Sequence, residues 1–377
     1  MLFADLIRPE IAGLEPYTPI LPLDVLAARL GIPIEQLVKL DANENPYGPS
    51  PRTAQALADL ATTDGPEGRL SIAIYTDPTQ TRLRAALSDY VGQPAASILC
   101  GAGADELIDL VLRLFISPGD AVIDCPPTFG MYSFDTGVNA GRLITVPRRA
   151  DFALDIPAIE AAAASSRAKV LFLTSPNNPT GNLTPPDEIA RLLRLPLVVV
   201  VDEAYMEFAE PGGAASVIPW VRRYENLAVL RTFSKWAGLA GMRVGYGVFP
   251  DWMIAQLWKI KQPYNLSLGA EAAAIASLSD IGHLRANLAR IVAERGRLLA
   301  RLGELPFLAP HPSESNFILC RVTHGDAREL KLALERMGVL VRYYSTPLLR
   351  DYIRISVGTP AQTDAVIAAL QHAGAGR

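Results

Sequence analysis

Leu227-Ala228-Val229-Leu230-Arg231-Thr232-Phe233-Ser234-Lys235, with Arg243 eight residues further on, is the stretch from which the rest of the chain is read. Its apolar first half predicts a strand that delivers Ser234 and Lys235 to its end, and Gly238, Gly241 and Gly245 keep the following turn tight. A lysine there is held rather than solvated. Burial lowers its proton affinity, and the neutral amine can then condense with an aldehyde. Thr232, Ser234 and Arg243 add two hydroxyls and a guanidinium fork, donors suited to a phosphate monoester.

Upstream, two stretches carry related chemistry. Val170-Leu171-Phe172-Leu173 predicts a buried strand running into Ser175-Pro176-Asn177-Asn178-Pro179-Thr180-Gly181. Leu197 to Val201 predicts a central parallel strand with Asp202 and Tyr205 just beyond it, at the sheet edge where ligands of doubly wound folds bind. Asn178, Asp202 with Tyr205, and Lys235 with Arg243, in that order, resemble the fold-type I pyridoxal-phosphate aminotransferases. The resemblance implies an α/β fold of the aspartate-aminotransferase kind: a large domain with a mostly parallel sheet covered by helices, plus a smaller α+β domain. It implies pyridoxal 5'-phosphate as cofactor, anchored by Lys235. Asp202 would lie beside the pyridine nitrogen, and Asn178 with Tyr205 at the phenolic oxygen; Lys235, Asp202 and Tyr205 would be catalytic.

Bulk properties fit an ordinary enzyme. The 377 residues suffice for two cores, and half of them are hydrophobic. The expected division is an N-terminal arm (1–45) contributing to the small domain, a large cofactor-binding domain (46–262) and a small C-terminal domain (263–377). A net charge of −4 with no Lys/Arg stripe argues against a nucleic-acid partner. No apolar run approaches the roughly 20 residues of a membrane span, and Asp5 and Arg8 interrupt any signal-type core, so the cytoplasm is the expected location. Cys100, Cys125 and Cys320 read as buried small hydrophobes, and the four histidines lack ligand spacing, so no metal site is expected.

Gly101-Ala102-Gly103-Ala104-Asp105-Glu106 follows a predicted strand and precedes an apolar helix, Leu107 to Phe115, which makes an anion-binding turn. It admits two readings, a degenerate dinucleotide fingerprint or a cofactor-phosphate site. The missing third glycine, and the need of Lys235 and Arg243 for a phosphate partner, favour the second. The resemblance then puts the phosphate at Ala104 and Asp105, Phe129 against the pyridine ring, and Tyr75 on the phosphate of the other subunit of a homodimer. It also makes Tyr17 and Asn43, on an arm bordering the pocket, candidate substrate contacts.

Arg354 sits in the otherwise apolar run 351–358, where a guanidinium is costly unless paired; a substrate carboxylate would match its fork, and a buried ion pair is the structural alternative. From Tyr17 to Gly358 the chain resembles the histidinol-phosphate aminotransferases. That implies exchange of L-histidinol phosphate and 2-oxoglutarate for imidazole acetol phosphate and glutamate in histidine biosynthesis, with Arg354 and Arg342 taking the phosphate of one substrate and the carboxylates of the other. Aromatic-amino-acid aminotransferases and threonine-phosphate decarboxylases share these motifs. Two departures stand out: Trp236 follows the lysine, and Ala104 replaces a common serine. Helices are also expected at 151–164, 252–260, 284–305 and 327–337.

Overall fold

The structure, a computed structural model, describes residues 3–15, 21–62, 69–209 and 215–374. In chain order its strands are β1 (Val38–Leu40), β2 (Ile98–Gly101), β3 (Ala121–Asp124), β4 (Arg142–Thr145), β5 (Val170–Thr174), β6 (Val198–Asp202), β7 (Leu227–Thr232), β8 (Gly245–Val248), β9 (Leu308–Pro310), β10 (Phe317–Val322), β11 (Val339–Tyr343) and β12 (Tyr352–Ser356). They form a seven-stranded sheet, β2-β8-β7-β6-β5-β3-β4, and a five-stranded one, β1-β11-β12-β10-β9.

In the larger sheet β4, β3, β5, β6 and β7 run parallel, and β8 alone runs against its neighbours. Both faces are covered, so the central strands are buried at every position and open with continuous rather than alternating apolar runs. Val199, Val201, Leu171 and Leu173 enter one hydrophobic core, while Val198, Val200, Val170 and Phe172 enter the other. Each such side chain removed from water contributes roughly 1.5–3 kcal/mol, which is why β6 and β5 sit at the centre of the sheet.

The parallel direction brings the ends of β3, β5, β6 and β7 to one edge. Asp124, Thr174, Asp202 and Thr232 are the last residues of those strands. β8 starts at the same edge, where Gly245 meets the helix Ala104–Phe115; a Cβ at Gly245 would lie 2.4 Å from the Ala104 nitrogen. Only glycine permits that approach.

The smaller sheet is antiparallel except where β1 joins β11 in parallel. The helix Ile281–Gly303 packs beside it through Leu284, Ile291, Leu298 and Leu302, all buried at helical spacing. Among the described residues, no helix is long and apolar enough to cross a membrane.

Three expected boundaries move. The helix expected over 151–164 runs Ile156–Ser166, because Asp155 caps it by accepting from the Ala158 amide and Phe152 turns the preceding chain at φ 64°. The helix expected over 284–305 is Ile281–Gly303, one turn earlier at its start, and the helix expected to open at Leu107 opens at Ala104. The three-residue β1 has no local signal. Its partner lies some three hundred residues away at Val339 to Val341.

Candidate active site

A cavity of about 600 Å³ opens at this edge of the larger sheet and reaches across to the smaller one. Lys235 lies on its wall, just past β7. Its ammonium nitrogen donates to the Ala42 carbonyl at 3.2 Å and sits 6.0 Å from the Tyr205 ring centroid. Burial, then the nearby Arg354 guanidinium, lowers its pKa from 10.5 to about 8. The turn behind it is tight: Gly238 has φ +70°, and a Cβ there would strike the Gly48 backbone at 2.5 Å. Trp236 is buried, stacks on Tyr90 at 5.4 Å, and accepts from Asn45 Nδ2 through its carbonyl. The indole therefore anchors the lysine turn from behind.

At one end of the cavity the helix Ala104–Phe115 presents its N-terminus with no side-chain cap. Its free amides and dipole face the opening. Arg243 lies beside it, donating to Asp105 Oδ2 at 2.7 Å and to Ser234 Oγ at 3.3 Å. Thr232 Oγ1 donates to Ser234 Oγ at 3.0 Å. Gly103, at φ +81°, is what lets the guanidinium in: a Cβ there would lie 2.5 Å from Arg243 Nη2. Ala104 offers its backbone and Asp105 a carboxylate already held by Arg243.

Deeper in, Asp202 is buried. Its Oδ1 accepts from the Ala204 amide at 2.9 Å, while Oδ2 accepts from the Tyr132 hydroxyl at 2.6 Å. Burial pushes its pKa from 3.8 to about 6, against the lowering effect of the Tyr132 hydrogen bond. Phe129 lines the cavity with its ring edge-on to Tyr132. Tyr205, its phenol pKa raised by burial, accepts from Asn43 Nδ2 at 3.0 Å.

Asn43 is fully buried at φ 55°, tied also to Ser356 Oγ and Asn316. It reaches the cavity wall, but its carboxamide holds Tyr205 and β12 in place. Asn178 Oδ1 accepts from Arg354 Nη1 at 2.6 Å. Since arginine only donates, that contact fixes the amide and leaves its NH₂ end for another acceptor.

Arg342 and Arg354 are directly opposite across β11 and β12, both on the cavity side. Arg354 donates to Asn178 and to the Asp41 carbonyl, its Nε has no partner, and its guanidinium lies over the rings of Phe317 and Tyr344. Neither arginine forms an ion pair among the described residues. The buried ion pair offered as the alternative for Arg354 is not formed among them, and a guanidinium left this way attracts an external anion.

Tyr75 does not line the cavity of its own chain. It is 81% exposed and stacks on Tyr264 at 4.6 Å. Tyr17 lies outside the described residues. Sequence reading missed Tyr132 as a site residue; the available signal was its place three residues after Phe129. It also missed a buried cluster below the site, in which Arg231 bonds Glu203 at 2.7 Å and Glu207 at 2.9 Å.

Residues 35–370 match the family model described as aminotransferase class I and II. The chain is 53% identical over 369 residues to a histidinol-phosphate aminotransferase of Roseiflexus castenholzii, covering 97% of each. It is 50% identical over 367 residues to the chloroplastic histidinol-phosphate aminotransferase of Nicotiana plumbaginifolia, covering 97% of this chain and 86% of the relative. Its structure superposes on that of histidinol-phosphate aminotransferase from Sinorhizobium meliloti in complex with pyridoxal-5'-phosphate with a TM-score of 0.87, at 28% identity and 98% coverage of both. The two-sheet architecture is accordingly the aspartate-aminotransferase-like fold of type I, and the chain belongs to the class I and II aminotransferases, among the histidinol-phosphate aminotransferases.

Proposed function

We propose that the chain is a pyridoxal 5'-phosphate-dependent transaminase exchanging L-histidinol phosphate and 2-oxoglutarate for imidazole acetol phosphate and glutamate. The observation that carries this reading is the placing of Lys235 in one cavity with Arg342 and Arg354, two cations lacking an acid partner among the described residues. A primary amine with a pKa near 8 and a fork for an anion are what an amino-group exchange on anionic substrates needs.

The residues fit the cofactor. An uncapped helix N-terminus beside Arg243, with a glycine where any Cβ would block the guanidinium, suits a phosphate. A buried carboxylate suits a protonated pyridine nitrogen. In this assignment Ala104 and Asp105 (through their amides), Thr232, Ser234 and Arg243 hold the phosphate, with Tyr75 added from a second copy. Phe129 would support the ring, Asp202 would hold a proton at its nitrogen, and Asn178 and Tyr205 would bind its phenolic oxygen.

When bound, pyridoxal 5'-phosphate supplies an electron-withdrawing ring that takes up the electron pair released as the substrate Cα–H bond breaks. Lys235 Nζ moves that proton: its lowered pKa lets it accept a proton near neutral pH and return it. Tyr205, held by Asn43, orients the reacting end. Arg342 and Arg354 place the substrate by its phosphate or carboxylates. One cation pair thereby serves both an amine without a carboxylate and a dicarboxylic acid.

This reading assigns an arm (1–45), a large domain (46–262) and a small domain (263–377), with substrates held between the two sheets. It assigns a homodimer, supported by the exposed apolar group Ile72, Ile74, Tyr75 and Tyr264, and a cytoplasmic location. Rates with histidinol phosphate, phenylalanine and threonine phosphate, each with 2-oxoglutarate, test the substrate. Fast amino transfer from histidinol phosphate is expected; carbon dioxide release from threonine phosphate, or preference for phenylalanine, overturns it.

A further inference from the structure

Tyr132 is fully buried, stacked on Phe172 with ring centroids 4.7 Å apart, and its hydroxyl touches two groups. It lies 2.6 Å from Asp202 Oδ2 and 2.7 Å from Thr174 Oγ1. Thr174 Oγ1 lies 3.2 Å from Thr128 Oγ1, which donates to Asn177 Oδ1 at 3.0 Å. Asn177 is fixed in turn, donating to the Pro127 carbonyl and Thr180 Oγ1. A polar chain thus runs along the sheet edge from Asp202 to the loop that carries Asn178.

Counting protons gives this chain a direction. An ionised Asp202 can only accept, so Tyr132 donates to it. The phenol has then used its one proton, and Thr174 must donate to Tyr132. Asn177 presents its carbonyl oxygen, so Thr128 donates there. The contact left without a proton is Thr128 to Thr174, and at 3.2 Å it is the longest of the four. A neutral Asp202 would instead donate to Tyr132, turning the Tyr132 and Thr174 hydroxyls the other way while Thr128 still donates to Asn177, so that every contact would carry a proton.

We propose that Tyr132, supported by Thr174, is a positioning residue that keeps Asp202 a carboxylate and fixes the plane in which it faces the cofactor ring; this rests on the functional reading above. Asp202 works against its surroundings. Burial favours its neutral form, and Asp105 and Glu203 add like charge. A second buried carboxyl, Asp124, ends β3 on the far side of β5, with its Oδ1 unpartnered. Against these stand the Ala204 amide and the Tyr132 hydroxyl, and only the hydroxyl is a side chain that mutation can remove.

The test uses Tyr132→Phe, with Thr174→Val as a second variant that leaves the phenol in place. In cofactor-free protein, the carboxyl band assigned by its loss in Asp202→Asn is titrated by infrared difference spectroscopy, and pyridoxal 5'-phosphate affinity is measured against pH. Tyr132→Phe should raise the Asp202 midpoint by about one unit and move the acid fall in affinity upward equally, because a donor to the charged form is lost. Thr174→Val should shift both the same way by less. Unchanged midpoints and an unchanged affinity profile in a folded Tyr132→Phe overturn the inference, as does an unchanged Thr174→Val if Tyr132→Phe fails to fold. Should Asp202→Asn retain full transaminase activity, the functional reading fails; if it is inactive while Tyr132→Phe titrates like the parent, only this inference fails.

Discussion

At the residue scale, one burial moves Lys235 and Asp202 in opposite directions, the amine down to about 8 and the carboxyl up to about 6. Each then favours its neutral form more than it would in water. Capture of pyridoxal 5'-phosphate by cofactor-free protein should therefore accelerate with pH around a midpoint near 8; a midpoint near the 10.5 of a solvated lysine would contradict the geometry. Lys235→Ala should keep its circular dichroism spectrum and lose turnover. For Asp202 the folded pKa lies above its ordinary value of 3.8, so its ionisation opposes folding. Stability from this group is full below pH 4, falls as pH rises through about 6, and stays reduced at neutrality. Asp202→Asn should accordingly stabilise the cofactor-free protein at pH 7 by up to about 3 kcal/mol, seen in urea unfolding, while abolishing catalysis. Arg342→Ala should lower kcat/KM for a phosphate-bearing amine by about 10- to 100-fold, and less for phenylalanine. Equal losses on both would make Arg342 structural.

At the scale of elements, the strand ends hold the chemistry because their flanks are locked. Glu203 follows Asp202, and Arg231 precedes Thr232, so the bond between them clamps β6 to β7 one residue from each site group. Glu203 also accepts from the Val217 amide and Ser216 Oγ, and Glu207 holds the other side of the guanidinium. Removing the cation leaves two buried carboxylates without it. Arg231→Met should cost about 3–5 kcal/mol in denaturant unfolding, whereas exposed pairs such as Arg191 with Glu160 contribute little. A loss below 1 kcal/mol would mean that the cluster relaxes into water.

At the scale of the whole molecule, the cavity belongs to both sheets, since Lys235 follows β7 and Arg354 lies in β12. Tyr75 faces outward on an exposed apolar group, and the proposed homodimer would bring it to the site of a second copy. Tyr75→Ala and Lys235→Ala should each be impaired, and refolding them together should restore about a quarter of the parental sites, because half the dimers are mixed and each holds one intact site. No recovery above the two variants alone would place Tyr75 outside the partner's site.

The sequence by itself determined the large sheet and the order of its strand-end chemistry. Runs such as Val198 to Val201 can only be buried on two sides; Asp202 ends its strand, and Asn178 and Lys235 lie in the loops that directly follow theirs. What lay beyond it was contact across long separations. The short β1 pairs with residues from the far end of the chain, and Arg342 faces Arg354 through a register that no local pattern encodes. Tyr132 looked like one more core aromatic until the packing of its helix over β3 and β4, with its ring on Phe172 of β5, brought its hydroxyl to Asp202. Local periodicity says which side of an element is buried; only the folded chain decides which polar atom waits there.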